Sequence, residues 1–137
     1  MTVVDASVAV KWFIEEPGTE MAAALLSGPD NLIAPALIRV EVAAAITRKV
    51  RIGEIDNKEA EEACHLWIGA LASGVPMLSP DEENLASAIE LALQIRHPLQ
   101  DCIYLALARR TGSMLMTADP KFAKRARGCY AKVECLG

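Results

Sequence analysis

The sequence predicts an α/β fold, a short parallel sheet covered by helices on both faces. Three observations predict it. Short apolar runs alternate with longer helical patterns along the whole chain, the order that builds parallel strands joined by helical crossovers. The run SMLMT, residues 113–117, is short and apolar, as a strand buried on both faces should be. Shortly before it, CIYLALA, residues 102–108, is apolar on every side, as a helix set deep in a core should be.

A chain of 137 residues suits one domain with one core, so residues 1–137 are read as a single domain. It is 53% hydrophobic but only 4% aromatic, so that core must be built mostly from Ala, Leu, Val and Ile. No apolar stretch approaches the roughly 20 residues that a membrane helix needs. The start, MTVVDAS, lacks a basic leader, so no signal peptide is expected. Cys64, Cys102, Cys129 and Cys135 show no CxxC spacing. They read as reduced, small hydrophobes in a cytoplasmic protein. Cys64 and His65 are adjacent on a helical pattern and point in different directions, which argues against a zinc pair.

In chain order, Val3-Val4 begins a strand that ends at Asp5. Ser7 can cap a short helix, in which Val8 and Trp12, and Ala9 and Phe13, pair four apart. Pro17-Gly18 breaks it, and Thr19 can cap a second helix through Leu26. A turn at residues 28–31 precedes a brief strand, Leu32-Ile33-Ala34. Pro35 falls near the first turn of a long helix, where its missing N–H costs nothing. That helix runs to about Arg51 and stops at Gly53. Asp56 or Asn57 caps the next, to about Ala72, ended by Gly74. Residues 75–78 read as a strand, and Ser79-Pro80-Asp81 opens a helix to about Ile95. Pro98 bounds the helix that contains Asp101 and ends at Thr111-Gly112. Ala118-Asp119-Pro120 follows the SMLMT strand, and residues 129–136 read as a final edge strand.

Charge is uneven along this order. The formal net charge is −4. Residues 54–90 hold nine acids and Lys58, a sum of −8, whereas residues 107–137 hold seven bases and two acids, a sum of +5. Such asymmetry fits one basic face for a phosphate backbone, and equally two solvated helix faces.

Four acids stand out. Glu41 has Leu37, Ile38, Ala44 and Ala45 three and four positions away, so it points from a face that should be buried. A carboxylate there is costly unless paired or metal-bound. Arg39 and Arg48 are the nearby cations, and neither is three or four positions away. Asp5 ends a strand and Asp119 ends another at the same edge of a parallel sheet. Asp101 starts a helix, where the macrodipole favours an acid. Each of those three has a plain capping role if taken alone. Together they can converge on one crevice at the strands' carboxyl ends, where open α/β sheets bind ligands. Carboxylates that close repel one another and take up protons. A hard divalent cation, Mg²⁺ or Mn²⁺, removes that repulsion, and no thiolate or histidine set points to zinc instead. His65 and His97 read as structural or surface residues, and no Gly-rich phosphate loop is present.

The segments VVDASVAVKWF, APALIRVEVAAAI, HPLQDCIYLALAR and LMTADPKF, in this order across nearly the whole chain, resemble the PIN-domain ribonucleases, and within them the VapC-type toxins of toxin–antitoxin pairs. The resemblance implies a three-layer α/β/α sandwich with a short, mostly parallel sheet of about five strands, an ordinary sheet size. It implies a metal-dependent endoribonuclease whose acidic positions fall on Asp5, Glu41, Asp101 and Asp119. Ser7 and Thr117 match hydroxyl positions beside that cluster. A small antitoxin protein and a homodimer are the partners it implies. Trp67 and Leu71 are among the apolar residues expected to be available for self-association. Lys121, Lys124, Arg125 and Arg127 lie three or four apart on the helix after Asp119 and form a candidate RNA-binding face, with Phe122 and Ala123 turned to the sheet.

Two other functions fit the same residues less well, and a third reading, a nuclease that acts on DNA rather than RNA, fits them equally. A receiver-type phosphoacceptor domain wants a lysine at a late strand end, whereas Lys121 lies inside the next helix. A PIN-fold module that binds RNA or protein without cutting does not need the four acids.

Overall fold

The computed structural model describes residues 1–137. Five strands form one sheet: β1 (Thr2–Val4), β2 (Leu32–Pro35), β3 (Met77–Ser79), β4 (Met114–Thr117) and β5 (Val133–Cys135). Seven α-helices intervene: α1 (Ala6–Ala9), α2 (Thr19–Ser27), α3 (Ile38–Arg51), α4 (Asn57–Ala72), α5 (Leu85–Ile95), α6 (Leu99–Thr111) and α7 (Pro120–Arg127). The strand order is β3-β2-β1-β4-β5 and every pairing is parallel. From β1 the chain builds outward to β3, then returns to place β4 on the other side of β1. The carboxyl ends of β1 and β4 are therefore a topological switch point, where connections leave in opposite directions and a crevice opens.

β1 and β2 are buried at every position, which requires cover on both faces of the sheet. This is the α/β/α sandwich that the sequence implied. The helix α6 packs across β1, β2 and β4. Its residues Cys102 through Ala108 are all buried, which is why that stretch shows no polar face. A core of 28 buried residues surrounds it, dominated by aliphatic side chains. Cys102 is wholly buried there, which pushes its thiol up to about 11, and all four cysteines are free.

Several stop and start signals act where the sequence placed them, although Thr19, expected as a cap, is the first residue of α2 with Gly18 at its N-cap. Asp56 closes a capping box with Glu59 at the start of α4. Gly53, Gly74 and Gly112 take left-handed φ of 80°, 80° and 66° after helix ends, a conformation that a Cβ would strain.

Some boundaries differ from the sequence expectation. Pro35 is the last residue of β2, not part of the following helix, which begins at Ile38. The register with β1 ends at Ile33, so only β3 still runs beside Pro35, paired at Ser79. Ser7 lies inside α1 rather than capping it, and Asp5 occupies the N-cap without a side-chain capping bond. β3 begins at Met77 and a 3₁₀ turn over Asp81–Glu83 precedes α5. Trp67 is core rather than free surface: it is buried, edge-on to Phe13, with Nε1 donating to the Arg39 carbonyl at 3.1 Å. Leu71 is half-buried against the same core. The exposed apolar residues are others, Val40, Leu66, Ile68 and Leu93 among them.

Candidate active site

The crevice at the ends of β1 and β4 is built around Asp5. This residue leaves β1 with only 5% of its surface exposed, and its amide N–H donates to the Met116 carbonyl of β4 at 3.0 Å. Two hydroxyls then hold one carboxylate oxygen. Ser7 Oγ donates to Asp5 Oδ2 at 2.6 Å and Thr117 Oγ1 donates to the same oxygen at 2.9 Å. Each hydroxyl also accepts a backbone N–H, Ser7 from Ala118 at 3.0 Å and Thr117 from Asp119 at 3.1 Å. The hydroxyls that the sequence singled out therefore fix the Asp5 rotamer and leave Oδ1 outside their grip.

Asp119 follows β4 and caps α7. Its Oδ1 accepts the N–H groups of Lys121 at 3.0 Å and Phe122 at 3.3 Å, with Pro120 at the first helical position. Asp101 projects from the first turn of α6. Its Oδ2 lies 2.6 Å from His97 Nε2. One ligand atom each from His97, Asp101 and Asp119 lie within 4.8 Å of one another. Glu41 stands in the first turn of α3, half-buried, with Oε1 accepting the Tyr104 hydroxyl at 2.8 Å. The neighbours that seal α3 are Ile38, Val42 and Ile46, so Glu41 lies at the border of the buried stripe rather than its centre. It makes no ion pair with Arg39 or Arg48, the pairing that would have made it structural.

A family model described as the PIN domain matches residues 2–128. The chain belongs to the PIN-domain family. It is also 31% identical over 124 residues to Ribonuclease VapC3 of Pyrobaculum aerophilum, across 90% of this chain and 92% of that protein.

In this PIN domain the acids feel one another. Burial pushes Asp5 up to about 6, against the pull of the Ser7 hydroxyl, with the charge of Asp101 raising it further and Thr117 opposing. Burial likewise pushes Glu41 up to about 7, opposed by the Tyr104 hydrogen bond and reinforced by Asp5, Asp101 and Asp81. Two groups with raised values that both respond to Asp101 describe a single negative site short of positive charge. Oxygen donors in such a field suit a hard divalent cation. The residues whose ligand atoms come within 4.8 Å of one another are Asp101 and Asp119 with His97, with Asp5 and Glu41 outside that group. Asp81, which in the sequence reads only as a helix start, adds to that field. Its Oδ1 accepts the Leu37 N–H at 3.1 Å and ties the turn after β3 to the start of α3.

Of the basic residues on α7, Lys121 and Lys124 are exposed and line a groove with Ile95, Arg125 and Gly128. Arg125 is partly buried and already engaged, with Nη1 at 2.7 Å from the Arg96 carbonyl and 3.2 Å from His97 Nδ1. Arg127 turns away to the Val133 carbonyl at 3.3 Å. Phe122 and Ala123 are buried beneath, as expected. Three contributors do not stand out in the sequence: Tyr104, His97 and Asp81. For His97 a signal existed, since it stands four positions before Asp101.

Proposed function

We propose that this PIN domain, residues 1–137, is a divalent-metal-dependent endoribonuclease of the VapC type, the toxin of a toxin–antitoxin pair. The observation that carries the reading is the electrostatic one. Asp5 and Glu41 are pushed up to about 6 and about 7 at an edge they share with Asp101, with no lysine or arginine paired to any of the three. Such an arrangement favours a cation.

Asp5, Asp101 and Asp119 would hold Mg²⁺ or Mn²⁺, with Glu41 beside them. A divalent ion bound there supplies a lowered water pKa and neutralises charge developing on the phosphate. Ser7 and Thr117 keep Asp5 in one rotamer, so the oxygen that they do not hold is preorganised for the ion. Tyr104 holds Glu41 at the rim, where a carboxylate near its titration point can accept the proton of an attacking water. Lys121 and Lys124 lie on the helix that begins at Asp119 and provide positive charge for the RNA backbone. A small antitoxin protein, a second copy of the chain and a cytoplasmic location complete the reading. No helix of the chain is long and apolar enough to cross a membrane.

The test is cleavage of a mixed RNA pool by the purified chain, with Mg²⁺ or Mn²⁺ and with chelator. Cleavage should need the cation and should disappear in Asp5→Asn and Asp101→Asn, both still folded by circular dichroism. Wild-type-level cleavage in both variants, or cleavage indifferent to chelator, would end the assignment.

A further inference from the structure

One nitrogen stands among the oxygens of this site. Imidazole so placed beside two carboxylates would ordinarily be a ligand for zinc, cobalt or nickel. Two contacts decide whether His97 can be one. A guanidinium only donates hydrogen bonds, so Arg125 Nη1, 3.2 Å from His97 Nδ1, must meet a lone pair there. The ring hydrogen is then on Nε2, where it donates to Asp101 Oδ2 at 2.6 Å. The lone pair that a cation needs is missing from the nitrogen that faces the acids.

The arrangement is held from several elements. His97 is buried and stacked on Phe122 of α7, with ring centroids 4.8 Å apart and planes 16° from parallel. The second hydrogen of Arg125 Nη1 is taken by the Arg96 carbonyl at 2.7 Å. Arg96 itself caps α5 in the left-handed region, φ 53°, at the turn that leads into His97. Neither the ring nor the guanidinium is free to swing away.

We propose that Arg125, acting through His97, keeps the metal centre all-oxygen and so selects hard cations over zinc-like ones. The inference rests on the metal centre proposed above. His97 is a positioning residue: its Nε2 hydrogen holds Asp101 Oδ2, which orients that carboxylate as an oxygen ligand, and the ring itself is barred from ligation. Without a donor at Nδ1 the ring hydrogen can move there, and His97, Asp101 and Asp119 become a mixed nitrogen–oxygen set suited to zinc.

The experiment uses the full chain with ¹⁵N-labelled histidine at pH 8. Only two histidines are present, and exposed His65 serves as the internal reference. In wild type, Nε2 should carry the hydrogen, and Zn²⁺ should leave the His97 shifts unmoved. In Arg125→Met, Zn²⁺ should transfer the hydrogen to Nδ1. Calorimetric titration with Zn²⁺ and Mg²⁺ should show the ratio of their affinities rising in Arg125→Met by about tenfold or more, the scale on which outer hydrogen-bond partners move metal affinity. Arg125→Lys, which still only donates, should keep the wild-type ratio. Arg125→Met combined with His97→Gln should return to it, and zinc sites elsewhere on the chain contribute equally to every variant. A hydrogen on Nδ1 in the wild type would overturn the proposal, as would an unchanged ratio in Arg125→Met. If wild type binds neither cation at this edge, the metal centre itself falls, a result distinct from binding with an unchanged ratio.

Discussion

Tyr104 donates its hydroxyl hydrogen to Glu41 Oε1 across 2.8 Å, joining α6 to α3 over 63 positions of sequence. Burial, with the charges of Asp5 and Glu41, holds the phenol well above its ordinary value, so it remains a donor through the working range. The bond pulls Glu41 down, against the burial that pushes it up to about 7. Tyr104→Phe should therefore raise Glu41 further. The acid limb of the pH–rate profile should move to higher pH, while stability changes by only about 1 kcal/mol, a usual value for one partly exposed hydrogen bond. An acid limb that stays in place would mean that Tyr104 only fills the core.

The raised carboxyls make stability depend on pH with a definite sign. A carboxyl whose folded value exceeds its unfolded one keeps its proton longer in the folded state, so ionisation opposes folding. For Asp5 that loss runs from its ordinary value of 3.8 to about 6, and for Glu41 from 4.5 to about 7. Without metal, the melting temperature should fall as pH rises through this window, and Mg²⁺ should restore it at pH 8. The Asp5 share is at most on the order of 3 kcal/mol. Asp5→Asn should flatten the fall, raise the metal-free melting temperature at pH 8 and weaken the response to Mg²⁺. Metal-free melting temperatures that climb across the window would contradict the burial cost assigned to these acids.

Lys121 and Lys124 are the α7 cations with free ammonium groups over the groove. Changing both to Gln should weaken RNA binding whatever the sequence. The slope of log affinity against log salt should flatten by about 0.7 for each phosphate that is no longer neutralised. Arg125 is best left intact in this test, because it also holds His97. Filter binding across a salt series gives the answer, and an unchanged slope would place the RNA elsewhere, for instance along Arg48, Lys49 and Arg51.

Self-association should run through the exposed apolar residues rather than Trp67. Leu93 is 76% exposed and Ile89, four positions earlier on α5, is 44% exposed, so the two share one face. Sedimentation at micromolar concentration should find a dimer, and Leu93→Glu with Ile89→Glu should yield monomers of unchanged melting temperature. A monomeric wild type would remove the dimer and leave the chemistry as it stands.

The acids were legible because each conflicts with, or punctuates, a local pattern. Glu41 interrupts an apolar stripe, and Asp5 and Asp119 stand where apolar runs end. Their partners were not legible in that way. Tyr104 sits within a run of seven buried residues and reads as core, since periodicity describes the ring and not the hydroxyl at its tip. His97 stands four positions before Asp101, a spacing visible in the sequence, but beside Pro98 it reads as a helix boundary, and its contact with Arg125 spans 28 positions. Pro35 reads as helical in the sequence because proline suits a first turn. The short register of β1 also lets it end a strand, a fact that depends on a neighbour rather than on its own flanks.

The hydroxyl clamp on Asp5 has a consequence for synthesis. Thr117 lies 112 positions beyond the carboxylate it holds, and β1 gains β4 as a neighbour only after most of the chain has been made. Closing so long a loop comes late in folding. A nascent chain still threaded in the ribosome at α6 has Asp5 and Ser7 but neither Thr117 nor Asp119. The edge that gathers Asp5, Ser7, Thr117 and Asp119 therefore exists only once β4 has been made and laid beside β1, so no shorter nascent piece of this chain carries it.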